Sequence, residues 1–227
     1  MVAAILFDCD GVLADSEAIA NALVADDLTA RGWVMTRHEA EHRFLGLSLP
    51  QMLPMIEAEL GRMPAGWAEN LSDRITEAMA REVIAIEGAL EAVAAVRATG
   101  LGHAVGSNSS RAELVAKLGR LGLAETFAGR VVSYQDVASG KPAPDIWLRC
   151  ASLVGAEPAR CVVVEDSLAG VRAARAAGMR VLGYAPADTS GGGTAERLAA
   201  AGALPFARMA ELPGLIEALR NGKAGAG

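Results

Sequence analysis

The feature that most constrains this chain is a short apolar run, Ala3 to Phe7, that ends abruptly in acidic residues. A continuous apolar run of this length predicts a buried strand. Asp8 and Asp10 follow it, and in extended backbone two side chains at this spacing point to the same side. A lone pair of acids in this pattern is usually an acidic turn. Two carboxylates crowded at the end of a central strand repel each other, so this pair predicts a cation or a chemical role if the rest of the chain supplies partners.

The composition is that of a closely packed α/β or helical protein. Hydrophobic residues make up 52% of the 227 residues and aromatic residues 4%, which excludes a disordered chain. The net charge of −6, without a basic stripe, argues against nucleic-acid binding. No apolar run in the sequence approaches the roughly 18–20 residues that span a bilayer, so we expect no membrane association.

The cysteines and the first residues indicate a reducing compartment. Cys9, Cys150 and Cys161 follow no spacing pattern, and Met1 to Phe7 lacks the basic start of a signal peptide. We therefore expect a cytoplasmic protein, and a monomer.

The distribution of helical and strand-like patterns predicts two domains. Residues 16–84 show helical patterns throughout, with helices expected to start near Ser16, Thr36, Ser48 and Ala65. Beyond Gly88, short apolar strands alternate with helices, which indicates parallel βαβ units. Those strands are expected at 103–106, 130–133, 161–164, 180–184 and 203–206.

We therefore predict an α/β fold in which a doubly wound parallel sheet, Rossmann-like in its architecture, is built from residues 1–15 and 85–227. Residues 16–84 would form an inserted α-helical cap over the end of the first strand. The Gly-rich segment 189–194 is expected to be a loop, and 221–227 a frayed end.

Two polar positions near the ends of expected strands have useful chemistry. Ser107 ends one strand just before a helix, where backbone N–H groups favour an oxyanion, although an ordinary helix cap would look the same. Lys141 lies in a loop stiffened by prolines. The Gly-Lys pair there suggests a P-loop, but Pro142 and the upstream glycine spacing exclude that motif.

Two more acids, Glu165 and Asp166, end the apolar strand expected at 161–164. A purely structural reason for two acids at this point is hard to find. Together with Asp8 and Asp10 they form the oxygen-only ligand set that Mg²⁺ prefers.

In this order, the motifs resemble those of the haloacid dehalogenase-like hydrolase superfamily, and the match covers essentially the whole chain. The matching segments are Asp8-x-Asp10-Gly11, Ser107, Lys141-Pro142-x-Pro144-Asp145 and Glu165-Asp166-Ser167-x-x-Gly170. The helical block after the first strand resembles the branch with β-phosphoglucomutase and with phosphoglycolate and sugar-phosphate phosphatases. The resemblance implies Mg²⁺-dependent hydrolysis of a small phosphorylated metabolite, namely a sugar, sugar-acid or short-acid phosphate.

The resemblance also implies the catalytic roles. Asp8 would attack phosphorus to form an aspartyl phosphate, and Asp10 would protonate the leaving oxygen and then take a proton from water. A tyrosine in place of Asp10 would have indicated dehalogenation. Ser107 would hold the non-bridging oxygens, and Lys141 would offset the negative charge.

Mg²⁺ is the implied cofactor, and the cap is the implied source of much of the substrate specificity. The ion would bind Asp8, the backbone carbonyl of Asp10 and Asp166, with Glu165 as a direct or outer ligand. The predicted substrate-binding residues are Glu17, Asn21, Arg43, Gly46 and Asn108.

Two alternatives to a phosphatase are a phosphomutase of the same branch and a phospho-acceptor signalling domain. A mutase binds a sugar bisphosphate and needs cap cations for it. Ala20 stands where β-phosphoglucomutases have a histidine, and Arg43 is the remaining cation nearby. A signalling domain would need neither the helical insertion nor Asp10. We therefore expect net release of inorganic phosphate.

Three further motifs have simpler explanations. The segment from His38 to His42 matches the H-E-x-x-H pattern of zinc proteases, but Glu41 is charged and His103 is expected in a core strand. We expect a solvent-facing helix there. The Cys9 thiol should point away from the two acids into the core. The glycines at 191–193 should be a loop, because no apolar strand directly precedes them.

Overall fold

A computed structural model describes residues 1–44, 47–186 and 193–221 of the chain. In these ranges the strands are β1 (Ala4–Phe7), β2 (Ala14–Asp15), β3 (Ile84–Ala85), β4 (Gly102–Ser107), β5 (Val131–Ser133), β6 (Cys161–Glu165), β7 (Arg180–Tyr184) and β8 (Leu204–Phe206). The α-helices are α1 (Glu17–Ala30), α2 (Arg37–Phe44), α3 (Leu49–Leu60), α4 (Trp67–Glu82), α5 (Ala89–Ala98), α6 (Arg111–Arg120), α7 (Asp145–Leu153), α8 (Leu168–Ala176), α9 (Thr194–Ala200) and α10 (Leu212–Arg220). None of the helices in the described ranges is long and apolar enough to cross a membrane.

Six of the strands form a parallel sheet in the order β5-β4-β1-β6-β7-β8. From β1 the chain adds β4 and β5 on one side and then β6, β7 and β8 on the other. Doubly wound sheets have this order, and ligands bind at the carboxyl ends of their strands where the order reverses. This confirms the predicted α/β fold with a Rossmann-like parallel sheet.

Alternation along β1 sends its side chains into two separate apolar layers. Ile5 and Phe7 belong to one layer, and Ala4 and Leu6 belong to the other, which also contains Trp147. Because both faces of the sheet are covered, the central strands are continuous apolar runs in the sequence.

The pairing register of β1 determines what lies beside its carboxyl end. Phe7 pairs with Val105 of β4 on one side and with Val164 of β6 on the other. Asp8 directly follows β1, and its N–H donates to the Val164 carbonyl at 2.9 Å. Glu165 follows Val164 as the last residue of β6. The register therefore brings an acid from each of two neighbouring strands to one edge of the sheet.

Helices α1–α4 lie in sequence between the two-residue strands β2 and β3. These strands pair antiparallel, Ala14 with Ala85 and Asp15 with Ile84, so the two chain crossings run side by side. Helix α4 packs against α6, and residues of α1, α3 and α4 line the same cleft as the strand ends. The division into a core and a cap at 16–84 stays a prediction of the sequence.

The structure differs from the sequence-based expectation mainly near its C-terminal end and at the crossings. Helices α9 and α10 and the short strands β2 and β3 are not anticipated. In α10 the side chains of Leu212, Ile216 and Leu219 are buried, which is an apolar stripe at helical spacing. Residues 189–192 of the predicted Gly-rich loop and residues 222–227 of the predicted frayed end lie outside the described residues.

Gly106 of β4 packs under helix α7 with no room for a side chain. A Cβ there would lie 2.6 Å from Ile146 Cγ2, 3.0 Å from Cys150 Sγ and 3.1 Å from Trp147 Cζ3. We expect Gly106→Ala to lower the free energy of unfolding by about 1–3 kcal/mol, because it overpacks the core. Urea denaturation measures this change.

The control is Gly119→Ala on the exposed side of α6, where nothing lies within 4 Å of the new Cβ. It should be neutral or stabilising by up to about 1 kcal/mol, since alanine is the better helix former. Equal stability changes for the two variants would contradict the packing argument.

Candidate active site

Lys141 links the carboxylates at the ends of β1 and β6. Its ammonium donates to Asp8 Oδ1 at 2.6 Å and to Glu165 Oε1 at 2.7 Å. Lys141 is 3% exposed and Glu165 is 0% exposed, and Nζ lies 4.3 Å from the centroid of the Trp147 ring. A buried charge needs close partners, and here one cation serves two anions that the sheet register brings together.

Asn108 and Gln51 hold the backbone of Lys141. Asn108 Oδ1 accepts from the Lys141 N–H at 2.9 Å, and Asn108 Nδ2 donates to the Lys141 carbonyl at 3.0 Å. Gln51 of helix α3 donates to the same carbonyl at 2.9 Å. The lysine loop is therefore fixed both by a residue that follows β4 and by one of the helices between β2 and β3.

Asp8, Glu165 and Asp166 form a cluster in which one carboxylate oxygen of each lies within 4.8 Å of the others. The second oxygen of Glu165 accepts from the Ser167 N–H at 2.7 Å and from its hydroxyl at 2.9 Å. Gly11 permits the close approach, because a Cβ at this position would lie 1.9 Å from Asp166 Oδ2. The sheet edge thus presents several carboxylate oxygens around a small volume that a hard cation can fill.

Crowding changes the pKa values of these acids. Burial raises the pKa of Asp8 to about 8, against the attraction of Lys141 and with added repulsion from Glu165. Burial and the charges of Glu165 and Asp8 also raise the pKa of Asp166 well above its usual value. One lysine therefore does not balance three carboxylates, and a dication would supply the missing positive charge. The oxygen-only donor set fits Mg²⁺.

Asp10 accepts hydrogen bonds on both carboxylate oxygens. Ser107 Oγ and Ser109 Oγ donate to Oδ2 at 3.0 and 2.9 Å, and Ser16 Oγ and Lys117 Nζ donate to Oδ1. Burial opposes ionisation, but the charge of Lys117 and hydrogen bonds from Lys117, Ser16 and Ser109 lower the pKa of Asp10 below its usual range. Asp10 is thus held as a carboxylate.

Lys117 and Glu113 are two buried site residues that the sequence analysis misses. Lys117 is 0% exposed, and its ammonium lies 2.5 Å from Glu113 Oε1 as well as against Asp10. Lys117 shares the buried stripe of α6 with Leu114 and Leu118. A lysine in an apolar stripe is costly unless it has buried partners, and this is the signal that could have identified it.

The cleft above the strand ends has a largely apolar wall opposite the acids. The apolar residues of this wall are Ala20, Val24, Phe44, Leu47, Leu49, Met52 and Ile75. Glu17, Asn21 and Ser72 add polar groups to it. Burial and the charge of Asp10 raise the pKa of Glu17 to about 7, so this group exists in both protonation states near neutral pH.

The structure brings only some of the predicted substrate-binding residues together. Glu17, Asn21 and Asn108 line the cleft. Arg43 does not, because its guanidinium carbon lies 4.9 Å from the centroid of the Trp33 ring and its Nη1 3.8 Å from Glu59 Oε1. That Arg43 contacts substrate stays a prediction of the sequence. Gly46 lies outside the described residues.

The other sequence motifs lie away from this site. The His38 side chain is 79% exposed, and its ring centroid lies 5.2 Å from that of His42. Neither histidine belongs to a metal-ligand cluster within the described ranges. Cys9 is fully buried in the same apolar layer as Phe7.

The chain belongs to the haloacid dehalogenase-like hydrolases, whose family profile matches residues 2–178. SUPPRESSOR OF QUENCHING 1, a chloroplast protein of Arabidopsis thaliana, is 35% identical over 190 residues, and the match spans 80% of this chain but 18% of that protein. Hexitol phosphatase B of Escherichia coli (strain K12) is 30% identical over 187 residues, covering 79% of this chain and 82% of that protein. The resemblance that the motifs indicate is thereby confirmed.

Solved structures share the fold. A HAD family hydrolase from Deinococcus radiodurans R1, with bound phosphate and sodium, is 35% identical with a TM-score of 0.74, and 96% of each chain is covered. The β-phosphoglucomutase of Clostridium difficile has a TM-score of 0.81 at 20% identity, with 97% of this chain and 98% of that chain covered. The latter likeness concerns the fold alone.

Removing the charge of Lys141 should destabilise the folded protein. Lys141→Met leaves the buried Asp8 and Glu165 without their shared cation, so we expect the free energy of unfolding to fall by about 3–5 kcal/mol at pH 8. Urea denaturation in EDTA measures it. The deficit should be smaller at pH 5. The pKa of Asp8 is about 8 beside the lysine and higher without it, so at pH 5 Asp8 is protonated in both proteins and the wild type no longer gains from pairing it with Lys141.

Arg149→Met is the matched control for this variant, because Arg149 is an exposed cation on α7. Its stability should stay close to that of the wild type at both pH values. A Lys141→Met protein as stable as the control at pH 8 would show that the lysine does not balance the acids.

Proposed function

We propose that this chain is a Mg²⁺-dependent phosphatase that releases inorganic phosphate from a small sugar or sugar-alcohol monophosphate. The observation that carries the proposal is the cluster of Asp8, Glu165 and Asp166, with Lys141 bonded to two of them, at the floor of a cleft. Membership of the haloacid dehalogenase-like hydrolases supports a hydrolase, and the name of the hexitol phosphatase relative supports a phosphate ester as substrate.

Asp8 is the nucleophile in this proposal. One of its oxygens forms a bond to phosphorus while the bond between phosphorus and the ester oxygen breaks, which gives an aspartyl phosphate. Lys141, 2.6 Å from Asp8 Oδ1, offsets the charge that gathers there. The Ser107 hydroxyl, which donates to Asp10 in the structure, can rotate to a phosphate oxygen.

Asp10 is the proposed acid and base. In the first step Asp10, which is a carboxylate in the free site, takes the proton of the phosphate ester monoanion and passes it to the leaving ester oxygen. In the second step Asp10 takes a proton from water, the water oxygen bonds to phosphorus, and the bond between Asp8 and phosphorus breaks. Inorganic phosphate and free Asp8 result.

Asp8 and Asp166, with the backbone carbonyl of Asp10, are the residues that we propose to hold Mg²⁺. We place Glu165 outside them, since Lys141 and Ser167 already donate to its two oxygens. When bound, the ion would stabilise negative charge on the phosphoryl oxygens.

The charges of the cleft favour a substrate with a single anionic group. Lys141 is the one cationic side chain among the cleft-lining residues that the structure describes, and it is already bonded to Asp8 and Glu165. A second phosphate or a carboxylate would lack a cation and would face Glu17. Hydroxyl groups can instead bond to Glu17 and Asn21. This favours a neutral sugar or sugar alcohol over a sugar acid, and a phosphatase over a bisphosphate-dependent mutase.

The first test of the proposal is the dependence of phosphate release on Mg²⁺ and on Asp8. We expect turnover of p-nitrophenyl phosphate and hexitol phosphates that stops in EDTA and returns with Mg²⁺. Asp8→Asn keeps the shape of the side chain but removes the attacking charge, so kcat should fall by several orders of magnitude. Asp26→Asn, an exposed acid on α1, should retain wild-type kcat. Normal turnover in EDTA would refute the metal assignment, and a fully active Asp8→Asn would refute the covalent mechanism.

A second test compares substrates that differ in charge. We expect higher kcat/KM for hexitol and neutral sugar monophosphates than for 6-phosphogluconate or sugar bisphosphates, and negligible conversion of β-glucose 1-phosphate into glucose 6-phosphate. Glu17→Gln should raise kcat/KM for the acidic substrates relative to the neutral ones by about tenfold, because it removes a nearby negative charge. The exposed Glu69→Gln on α4 is the control. Isomerisation that outpaces phosphate release in the presence of glucose 1,6-bisphosphate would favour the mutase.

A further inference from the structure

Lys117 is a second fully buried lysine in the described chain, and the proposed reaction gives it no role. Its side chain is 1% exposed. The ammonium reaches Asp10 Oδ1, lies 2.9 Å from Ser109 Oγ, and lies 2.5 Å from Glu113 Oε1. The three N–H donors of the ammonium therefore have three partners, Asp10, Ser109 and Glu113.

Packing alone does not explain a lysine at this position. The neighbours of Lys117 on the buried stripe of α6 are Leu114 and Leu118, so a leucine or methionine would fill the same space without a desolvated charge. Replacing buried ion pairs with apolar residues is often neutral or stabilising. The charge at Lys117 therefore serves its acidic partners Asp10 and Glu113, and not the packing of α6.

The two buried lysines divide the acids of the site into two sets. Lys141 bonds to Asp8 and Glu165, whereas Lys117 bonds to Asp10 and Glu113. Asp8 and Asp10 are two residues apart and would otherwise compete for the same cation. With separate cations, each can have a fixed orientation.

The form of Asp10 that Lys117 holds is the base form. Both oxygens of Asp10 accept hydrogen bonds, from Lys117 and Ser16 on one oxygen and from Ser107 and Ser109 on the other. A carboxylate with both oxygens accepting is the species that takes a proton from water.

We propose that Lys117 is a positioning residue that holds Asp10 in place to take a proton from the water that hydrolyses the aspartyl phosphate on Asp8. This inference rests on the proposed function. Lys117 acts through Asp10 and does not touch the phosphoryl group. Its loss should therefore slow the water step more than the formation of the aspartyl phosphate.

The test is rapid-mixing kinetics with p-nitrophenyl phosphate and Mg²⁺. Nitrophenolate is a good leaving group that needs little protonation, so formation of the aspartyl phosphate should remain fast in Lys117→Met. We expect a burst of about one equivalent of nitrophenolate, then steady turnover about 10- to 100-fold slower than in the wild type, since the base is misplaced. Lys117→Arg, which keeps the charge, should recover part of the steady rate. The control is Arg120→Met, which removes an exposed cation from the same helix.

A double-mutant cycle with Asp10→Asn separates positioning from a general structural role. If Lys117 acts through Asp10, the double variant should have nearly the same steady-state rate as Asp10→Asn alone. The double variant also removes both members of the buried ion pair, so the cycle remains measurable if Lys117→Met alone folds poorly. Circular dichroism of each variant checks the fold.

Three results would overturn the inference: wild-type steady turnover in Lys117→Met, an equal slowing of burst and steady rates, or the same penalty in both backgrounds. Each of these requires an active wild-type enzyme. A wild-type protein that releases no phosphate from any ester would instead refute the proposed function.

Discussion

The contact on which this site depends is the pair of hydrogen bonds from Lys141 to Asp8 and Glu165. The sheet register places these acids on adjacent strands, at a depth where solvent hardly screens their repulsion. A cation between them makes the arrangement tolerable. The site therefore keeps an excess of negative charge that a further cation would neutralise, which is the electrostatic basis of the proposed metal site.

The lysine is itself held by its surroundings and not by its loop alone. Asn108 binds both backbone groups of Lys141, and the Trp147 ring lies against the ammonium. Trp147 also packs beneath Gly106 of β4. The core packing of α7 on the sheet and the charge balance of the site are therefore joined through one aromatic side chain.

Much of this could be read from the sequence, because the site lies at strand ends and strand ends are visible as abrupt stops in apolar runs. Asp8 and Glu165 follow such stops, and the strand register that juxtaposes them is what a doubly wound sheet requires. The burial of Lys117 could not be predicted in this way. A lysine inside a helix usually faces solvent, and whether it is buried depends on packing between segments that are distant in the sequence. Arg43 is a different case: its position in the chain is close to the cleft, but its side chain lies against Trp33 and Glu59. Helix α10 was missed because its buried stripe is short.

The hydrogen bond from Gln51 to the Lys141 carbonyl has a consequence for exchanging parts between relatives. Gln51 belongs to helix α3, which contributes residues to the apolar wall of the cleft, yet it also supports the loop that carries the lysine. Its amide oxygen meanwhile accepts from the Ser48 N–H at the start of the same helix. A chimaera that takes helices α1–α4 from another protein would therefore receive a new cleft wall. Unless the new α3 also has a hydrogen-bond donor at position 51, the lysine loop would be held by Asn108 alone.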